Sequence, residues 1–484
     1  MIEDAENRSE GRFDLPFDVC IIGAGPAGIT LARRLAGQNR RVGLFEAGGF
    51  EATAESQEVY EGQTAGTPDY YALDGCRLRF LGGTSNHWGG WTRPFDPWDF
   101  DENPNNPLSG WPIAKTDLDP YAAEAADILD LTADTPPPDM LGDASPFLPR
   151  LFRFSRPVVR FGEKYRQELS ASKDIELVLN ANLVDLRLDG NRISEAVFRS
   201  YARPDSFAVR AKLFVICLGG LENPRALLNA TSQVNVGIGN ENGYVGRCFL
   251  EHPHAPVGKV VTREPLDWMH VYAPTPDTMH SLGVLNFGLR IGNEGQWNAP
   301  DFYGPLTQQP ACDVPFDTML LAAVNGEAPP CPAHFSDALI ACEQKIDPDN
   351  RVVLTDERDR FGLRRMRLDW SVSEQDLKTL RVAASEMATL LAKRDLGRMK
   401  IIDWLANGEA PQSNQLWGGN HHMGTTRMSA DPKRGVVDAN CRVHTVNNLY
   451  CGGSSVFSTS GHANPTYTIV QLALRLGDHL DQII

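Results

Sequence analysis

The sequence predicts an α/β protein made of two units: a discontinuous, Rossmann-like nucleotide-binding domain and a second α+β domain built on an antiparallel sheet. Three observations predict this fold class. A glycine-rich strand–helix–strand pattern stands near the N-terminus, a hairpin and a strand–glycine turn–helix at 175–198 and 211–228 continue the same unit, and the stretch 252–404 changes to strands with Pro- and Asp-rich connections. A length of 484 residues also exceeds one ordinary hydrophobic core, which favours two packed units.

The composition limits the partners that we expect. Hydrophobic residues make up 42% of the chain, charged residues 22%, and the formal net charge is −16. Nucleic acids and anionic membranes require clustered Lys and Arg, so neither is an expected partner. The chain has no apolar run of eighteen residues, and its acidic start lacks the apolar core of a secretory signal. We therefore expect a cytoplasmic protein without a membrane span, with a flexible N-terminus over residues 1–15.

The cysteines indicate no cross-linked framework. Nine of them are scattered along the chain, and none has CxxC spacing. This pattern predicts neither a disulfide framework nor a zinc site, so all nine are expected to be reduced. Cys20 and Cys217 stand in apolar, strand-like runs, where cysteine serves as a small hydrophobic residue.

The strongest motif is the stretch "FDVCIIGAGPAGITLARRLAGQNRRVGLFEAGG". Gly23, Gly25 and Gly28 have GxGxxG spacing between an apolar run and a helical stretch, and Glu46 ends the next apolar run. In a βαβ unit the first glycine allows the tight turn, the second lets a pyrophosphate approach, and the third lets helix and strand pack. Glu46 suits a ribose hydroxyl and would repel a 2′-phosphate. FAD or NAD is therefore favoured over NADP.

The rest of the chain favours FAD. No second strand–GxGxxG–helix unit follows, since "GIGNENG" at 237–243 has the wrong spacing. One nucleotide site, combined with the glycine-rich stretches described below, predicts a flavoprotein that takes its electrons from its substrate.

Later segments complete the predicted domains. Residues 175–198 form a hairpin pattern around "DGN", and residues 211–228 follow as a buried strand, a glycine turn and a helix. We assign 16–100, 175–251 and 405–484 to the FAD-binding domain, and 101–174 and 252–404 to the substrate-binding domain and insertions. Within the latter, helical periodicity over 371–397 predicts a core helix.

Two glycine- and histidine-containing stretches are candidates for chemistry. In "RFLGGTSNHWGGWTRPFDPWDF" (79–100), His87 precedes Trp88 among glycines, which let backbone approach a flat ring. His87 either contacts the cofactor or is a hydrogen-bonded residue of a rigid loop. In "SGHANPTYTIVQLALRLGDHL" (460–480), Asn464 suits a helix N-cap and Pro465 the first helical position. This helix start is either purely structural or a source of positive potential for a reduced flavin.

A third stretch, "GGNHHMGTTRM" (418–428), contains the adjacent histidines His421 and His422. Sequence neighbours rarely converge on one ion, and no Cys or carboxylate pattern accompanies them, so no metal site is expected. An imidazole can serve as a general base near neutral pH. These residues alone do not decide which histidine would do so.

Together, "DVCIIGAGPAGITLARRL…GLFEAGG", "LGGTSNHWGG", "VICLGGLENPRALL" and the C-terminal stretch from "HHMGTTRM" to "LGDHL" resemble the glucose–methanol–choline (GMC) oxidoreductases. The resemblance covers the predicted FAD-binding domain in order and is loose over 252–400. It implies that His421, three residues before Gly424, is the base on the alcohol, that His422 is its neighbour, and that Asn464 is the second active-site residue. His462 is a less favoured contributor.

The resemblance also implies which residues bind the cofactor. Besides the GxGxxG glycines and Glu46, these are Gly83, Thr84, His87, Trp88, Val184, Gly453, Asn464 and Thr466. The loop "GGTSNHWGG" is most similar to the sugar- and glycoside-oxidising branch related to pyranose 2-oxidase, where a histidine before tryptophan is linked covalently to the flavin. His87 falls on that position, although the residues around it differ, so covalent and noncovalent FAD both stay open.

The implied activity is FAD-dependent oxidation of a primary or secondary alcohol group, on a sugar, a glycoside or a polyol. His421 takes the hydroxyl proton, and the carbinol hydrogen leaves as hydride to flavin N5. Electrons then pass to oxygen, a quinone or another acceptor. Two alternatives stay open: a non-redox lyase of the same fold, and the flavin subunit of a larger dehydrogenase complex. Oligomerisation or association with a partner subunit is compatible with either.

Overall fold

The structure is a computed structural model that describes residues 2–9, 11–37, 39–132, 138–142, 145–266, 269–292 and 312–484. Its strands are, in chain order, β1 (Ile2–Asp4), β2 (Phe17–Ile22), β3 (Val42–Phe45), β4 (Gly62–Ala65), β5 (Phe147–Pro149), β6 (Ile175–Leu179), β7 (Asn182–Asp189), β8 (Arg192–Arg199), β9 (Phe207–Val209), β10 (Ala211–Ile216), β11 (Pro253–Thr262), β12 (His270–Pro274), β13 (Phe287–Gly292), β14 (Phe335–Cys342), β15 (Arg351–Arg358), β16 (Arg364–Asp369), β17 (Gly397–Ile401), β18 (Trp417–Gly418) and β19 (Leu449–Cys451).

Helices connect and cover these strands. They are α1 (Pro26–Leu35), α2 (Ala54–Gln57), α3 (Ala122–Ile128), α4 (Phe161–Ala171), α5 (Gly219–Asn229), α6 (Pro276–Leu282), α7 (Phe316–Asn325), α8 (Glu374–Lys393), α9 (Asp403–Asn407) and α10 (Thr466–Asp481). The predicted core helix is confirmed as α8, whose buried face includes Leu380, Ala384, Met387 and Leu391. No helix within the described ranges is long and apolar enough to cross a membrane.

A six-stranded parallel sheet forms the nucleotide-binding side, in the order β1-β6-β3-β2-β10-β19. The strands β3 and β19 are buried along their whole length, as expected for a parallel sheet covered on both faces. The helices α1 and α10 pack against each other beside it. The sheet combines strands from all three segments that the sequence assigned to the FAD-binding domain, so the predicted α/β class is confirmed.

The extreme N-terminus differs from the prediction of flexibility. The strand β1 pairs in parallel with β6, in the register Ile2 to Leu177 and Asp4 to Leu179. Ala5 is fully buried directly after it. Because β1 completes an edge of the parallel sheet, its main-chain groups have hydrogen-bond partners that a free tail would lack.

A seven-stranded antiparallel sheet forms the second side, in the order β17-β11-β14-β13-β12-β5, with β18 also paired to β11. This confirms the predicted antiparallel sheet of the second domain. Two three-stranded sheets, β15-β16-β4 and β7-β8-β9, complete the fold, and the pair β7 and β8 is the hairpin that the sequence predicted.

The segment 101–174 contributes to both sides, whereas the sequence assigned it wholly to the second domain. The strand β5 pairs with β12 of the antiparallel sheet. The helix α4 packs instead against α1 and against the 3-10 turn Gly83–Asn86 of the nucleotide-binding side. The domain boundaries therefore stay a prediction, and part of the predicted stretch 252–404 lies outside the described residues.

The expectation that all nine cysteines are reduced is wrong for one pair. Cys312 and Cys331 form a disulfide across 19 residues of sequence, with their Cα atoms 6.0 Å apart. Both belong to a small apolar cluster in which Met319 of α7 packs on Val261 of β11. Spacing in the sequence gives no indication of this contact, because the fold of the intervening chain brings the two cysteines together. The other seven are free and buried.

Candidate active site

A cavity of about 520 Å³ lies at the carboxyl ends of the parallel strands, between the two large sheets. Its wall includes the residues that directly follow four of these strands or end their loops: Gly23 after β2, Glu46 after β3, Cys217 after β10 and Gly453 after β19. Ligands of open α/β sheets bind at this edge. The far wall is formed by residues of the antiparallel sheet and the loop that contains His421.

The glycine turn after β2 opens directly onto this cavity. Gly23 has φ +106°, a left-handed conformation that favours glycine. A Cβ added at Gly25 would meet no atom within 4 Å, so the main chain at the start of α1 is open to a ligand. A Cβ at Gly28 would clash with the carbonyl oxygen of Gly23. Gly28 therefore serves close packing and does not line the cavity, whereas Gly23 and Gly25 do.

Glu46 is a buried carboxylate at the same end of the cavity. Its side chain accepts hydrogen bonds from the main-chain N–H groups of Ala24, at 2.8 Å, and Gly48, at 3.0 Å. One oxygen is bonded to each donor, and each carboxylate oxygen can accept a further bond. Glu46 thus fixes the glycine turn and keeps acceptor capacity for a ribose hydroxyl.

The stretch 83–88 lines the middle of the cavity. Gly83, Thr84, His87 and Trp88 all belong to its wall, as the sequence predicted. The indole N–H of Trp88 donates to the carbonyl of Val159 at 2.8 Å, which holds the loop in place. His87 is exposed to the cavity, and burial together with the positive charge of Arg160 lowers the pKa of its imidazole.

One predicted cofactor residue is displaced from this wall. Ala181, Asn182 and Leu183 line the cavity in place of Val184. The pairing of β7 with β8 shifts register between Leu183 and Asp185, so simple alternation along the strand does not predict which side chain faces the ligand. Thr466 and Gly453 do line the cavity.

His421 and Asn464 meet on the wall of the cavity that Glu46 also lines. The amide Nδ2 of Asn464 lies 2.9 Å from Nε2 of His421. The sequence placed Asn464 at the N-cap of the last helix, but that helix begins at Thr466 and Pro465 precedes it without a side-chain cap. The Asn464 side chain is therefore directed at His421 instead of capping α10.

Hydrogen bonds fix the loop that carries both histidines. The hydroxyl of Ser454 donates to the carbonyl of His422 at 2.7 Å, and Gly424 N–H donates to the carbonyl of Ser454 at 3.1 Å. Gly424 has φ +83°, and a Cβ there would clash with the carbonyl of Cys248. The glycine three residues after His421 is thus required by the turn that positions the histidine.

Sequence reasoning missed a group of polar residues behind His421. Nδ1 of His252 lies 2.8 Å from Nδ1 of His421, and Oε1 of Glu251 accepts the main-chain N–H of both histidines at 2.8 Å. The His254 ring lies 6.1 Å from that of His421. The signal for these residues was "LEHPHAP", in which two histidines alternate at the start of a strand.

The electrostatic surroundings keep this histidine group neutral. Burial, followed by the neighbouring His252 and His254, holds the pKa of His421 well below its ordinary value. Burial also lowers the pKa of His252 to about 4 and that of His254 to about 3. Burial raises the pKa of Glu251 to about 7. At neutral pH the imidazole of His421 is therefore uncharged.

An arginine and a tryptophan complete the wall near His421. Arg290 of β13 is 8% exposed, and its Cζ lies 4.3 Å from the centroid of the Trp91 ring. Both residues and His254 line the cavity. The positive charge of Arg290 also contributes to the low pKa of His421. This part of the cavity wall thus combines an aromatic ring with a buried guanidinium group.

The two less favoured histidines have different surroundings. His462 lies outside the cavity wall, and its Nε2 is 2.7 Å from a guanidinium nitrogen of Arg93. His422 lines the cavity near Tyr70 and Phe249, and burial lowers its pKa to about 3. Its buried Nε2 has no hydrogen-bond partner within the described residues.

These features fit a bound FAD. The open main chain at Gly25 and the positive end of α1 suit a pyrophosphate, and Glu46 suits a ribose. The unpartnered Nε2 of His422 indicates that the cavity normally holds a polar group or water. Among the described residues, no group of three or more His, Cys, Asp or Glu side chains is arranged to hold a metal ion.

The chain is similar to several known oxidoreductases. The GMC oxidoreductase family model matches residues 347–473. A 2-methyl-1,2-propanediol dehydrogenase of Mycolicibacterium austroafricanum is 23% identical over 96% of this chain and 95% of its own length. A 6'''-hydroxyparomomycin C oxidase of Streptomyces lividus is 24% identical over 96% and 91%. The large subunit of a fructose dehydrogenase of Gluconobacter japonicus is 27% identical over 66% of this chain, which covers only 57% of that protein.

Solved structures agree on the fold. A pyridoxine 4-oxidase from Mesorbium loti superposes with a TM-score of 0.61 at 18% identity, covering 96% of this chain and 99% of its own. A formate oxidase of Aspergillus oryzae, determined in a study of FAD modification, superposes with a TM-score of 0.57 at 15% identity, covering 96% and 98%. The chain thus matches the GMC oxidoreductase family model over residues 347–473 and shares the fold of these two oxidases over 96% of its length.

Proposed function

We propose that this protein oxidises an alcohol group on a sugar, a glycoside or a polyol, with FAD as the first electron acceptor. The observation that carries the proposal is the pair His421 and Asn464. Their side chains meet 2.9 Å apart on the wall of the same cavity that the glycine turn and Glu46 line. A base and a hydrogen-bond donor thus face the place where a substrate would meet the cofactor.

The two residues have complementary tasks. Nε2 of His421 accepts the proton of the substrate hydroxyl, and the amide N–H of Asn464 donates to the same oxygen. An oxygen that loses its proton while it is held by a donor releases the hydrogen on its carbon more readily, as hydride. Bound FAD supplies the acceptor for that hydride, so the substrate loses two electrons and two hydrogens and becomes a carbonyl compound.

The low pKa of His421 supports this assignment. Burial keeps the imidazole neutral, so the base is ready at neutral pH. The same burial makes an isolated imidazolium unfavourable. Proton uptake by His421 is therefore coupled to the negative charge that develops beside it during the oxidation. His421 therefore holds the proton only while negative charge develops beside it.

The relatives support a hydroxylated substrate. The names of three of them specify fructose, 2-methyl-1,2-propanediol and 6'''-hydroxyparomomycin C, and two further matches are C-glycoside 3-oxidases that are 29% and 26% identical over about a third of this chain. The wall of Trp91 and Arg290 suits such molecules, because aromatic rings pack on the apolar faces of sugars and guanidinium groups bind their oxygens.

We propose that His87 bonds covalently to the flavin. Its imidazole lies on the cavity wall, beside Trp88 and in the cofactor-binding half, and it is neutral because its pKa is lowered. A neutral imidazole has the lone pair that a bond to the flavin 8α carbon would require. The carbon and the nitrogen would each lose a proton, and the two electrons would reduce the flavin until oxygen or another acceptor took them up. His421 is a separate residue of the same cavity wall and stays free for the substrate.

A second candidate is the flavin subunit of a larger dehydrogenase complex, favoured by the similarity to a fructose dehydrogenase large subunit. In that case the electrons pass to a partner subunit, and otherwise to oxygen, a quinone or another small acceptor. The location is a related question. The sequence favours the cytoplasm, whereas the bond between Cys312 and Cys331 favours an oxidising compartment, so a count of free thiols separates the two.

Anaerobic mixing of the holoprotein with sugars, glycosides, polyols and simple alcohols tests the proposal. We expect at least one sugar, glycoside or polyol to bleach the flavin absorbance and to yield one carbonyl product per flavin. Turnover of a substrate with an unbleached flavin would support the non-redox lyase instead. A bleached flavin whose colour returns with a co-purified redox partner, but not on admission of oxygen or addition of a quinone, would support the dehydrogenase subunit.

A further inference from the structure

His252 lies directly behind His421, on the side away from Asn464. Its Nδ1 is 2.8 Å from Nδ1 of His421, and its Nε2 is 2.9 Å from the carbonyl oxygen of Ser460. The side chain is almost completely buried, with 1% of its surface exposed. The four groups Ser460, His252, His421 and Asn464 therefore form a continuous chain of hydrogen bonds that ends at the cavity.

This chain determines which nitrogen atoms carry protons. A carbonyl oxygen only accepts, so Nε2 of His252 carries a hydrogen. His252 is neutral at pH 7, which leaves its Nδ1 bare as an acceptor. Nδ1 of His421 must then donate to it. A neutral His421 with its hydrogen on Nδ1 has a bare Nε2, which is the atom that faces the amide N–H of Asn464.

We propose that His252 is the positioning residue that holds His421 in the tautomer whose bare Nε2 faces the substrate, and that it keeps this bond as His421 takes up the proton. The proposal rests on the function proposed above. In the opposite tautomer, the bare Nδ1 of His421 would face the bare Nδ1 of His252 at 2.8 Å, with no hydrogen between them. Two buried acceptors in contact are unfavourable, so the network selects one tautomer.

The main chain around the pair makes the geometry rigid. Oε1 of Glu251 accepts the main-chain N–H of both His252 and His421 at 2.8 Å. Its other oxygen accepts the hydroxyl of Tyr70. One fully buried carboxylate thus ties the start of β11 to the loop of His421, which keeps the two rings in register.

Three variants of the holoprotein test the proposal by rapid-mixing flavin reduction, with a substrate identified by anaerobic bleaching. His252→Leu removes the acceptor, and we expect the limiting reduction rate to fall about 100-fold while the half-saturating substrate concentration changes less than about threefold. His252→Asn restores an acceptor oxygen near the position of Nδ1, so its flavin should be reduced at least about tenfold faster than that of His252→Leu. His270→Leu, the matched control, removes a comparably buried histidine outside the cavity wall and should stay within about twofold of the wild type.

Other outcomes separate this proposal from the function on which it rests. A wild-type rate for His252→Leu, or equal losses in His252→Leu and His252→Asn, overturns the positioning role. A normal rate for His421→Ala overturns the proposed function itself.

If His252→Leu does not fold, the tautomer is measured directly in the wild type. Nitrogen NMR of the holoprotein labelled with [15N]histidine should contain a neutral ring protonated on Nδ1 that disappears in His421→Asn. A ring protonated on Nε2 in its place overturns the proposal.

Discussion

His421 and His422 show at the residue scale how neighbouring side chains of the same type acquire different surroundings. His421 contacts His252 and Asn464 through its two ring nitrogens, while His422 packs near Tyr70 and Phe249. The spacing to Gly424 distinguished them in the sequence. The structure gives the physical reason, because the turn at Gly424 fixes the loop on Ser454.

The proposed bond between His87 and the flavin predicts a simple result. Acid precipitation of the wild type should leave the yellow colour in the protein pellet, and His87→Ala should release it while still binding FAD at the glycine turn. The flavin absorbance of the redissolved pellet and of the supernatant checks this. Wild-type protein that releases all its colour into the supernatant would rule out the bond.

Much of the candidate site could be predicted from the sequence, because its parts lie in short motifs. The GxGxxG turn and Glu46 follow from local βαβ chemistry, and their positions at the cavity agree with it. His252, His254 and Arg290 could not be predicted, since β11 and β13 belong to distant parts of the sequence and are brought together by β14, which pairs with both. No local pattern reports such a long-range arrangement.

The structure differs most from the sequence prediction at a chain end and at an irregular strand pairing. The tail of residues 1–15 contains β1, because an unpaired sheet edge can recruit a three-residue strand that has no clear periodicity. The register shift in β7 moved the cavity wall from Val184 to Leu183. Long periodic elements such as α8 were predicted well, since burial of one face alone defines them.

The disulfide next to α7 gives a prediction at the scale of this element. Cys312 and Cys331 flank α7, so their bond holds the helix against β11. Protein purified and denatured without reductant should show seven free thiols, and nine after reduction. Reduction should also lower the free energy of unfolding by about 3 kcal/mol. Nine thiols without reductant would contradict the bond and favour the reducing compartment that the sequence predicted.

At the scale of the whole molecule, the two large sheets enclose a polar centre that contains many groups with shifted pKa values. Burial lowers the pKa of His252, His254, His270, His421, His422 and His462. Burial raises the pKa of Asp99 to about 8, of Glu251 and Glu343 to about 7, and of Asp376 to about 6.

These shifts predict a stability maximum between about pH 6.5 and pH 7. The unfolded histidines take up protons below about pH 6.5 while the folded ones stay neutral, so stability falls as the pH decreases. The four carboxyl groups act in the opposite direction, since the folded state keeps their protons up to pH 6–8 and loses stability as the pH rises. The histidines are more numerous and dominate on the acid side, whereas Asp99, whose pKa is about 8, still lowers stability as the pH rises above 7.

Thermal unfolding of the holoprotein from pH 5 to pH 8.5 checks this prediction. About 1 M salt screens the repulsion that arises from the net charge of −16. We expect the melting temperature to decrease by several degrees on each side of the maximum, and His270→Leu to reduce the decrease on the acid side. A melting temperature that rises steadily through this range would contradict the assigned charge states.

His421 lines the cavity as the proposed base of an alcohol oxidation. Anaerobic reduction of the flavin is measured for the wild type, His421→Ala and the neighbouring His422→Ala, with the FAD content of each protein determined beforehand. We predict that His421→Ala retains FAD but that its flavin is reduced about 100- to 10,000-fold more slowly than in the wild type. The flavin reduction rate of His422→Ala should fall far less. Near-normal flavin reduction in His421→Ala would contradict the claim.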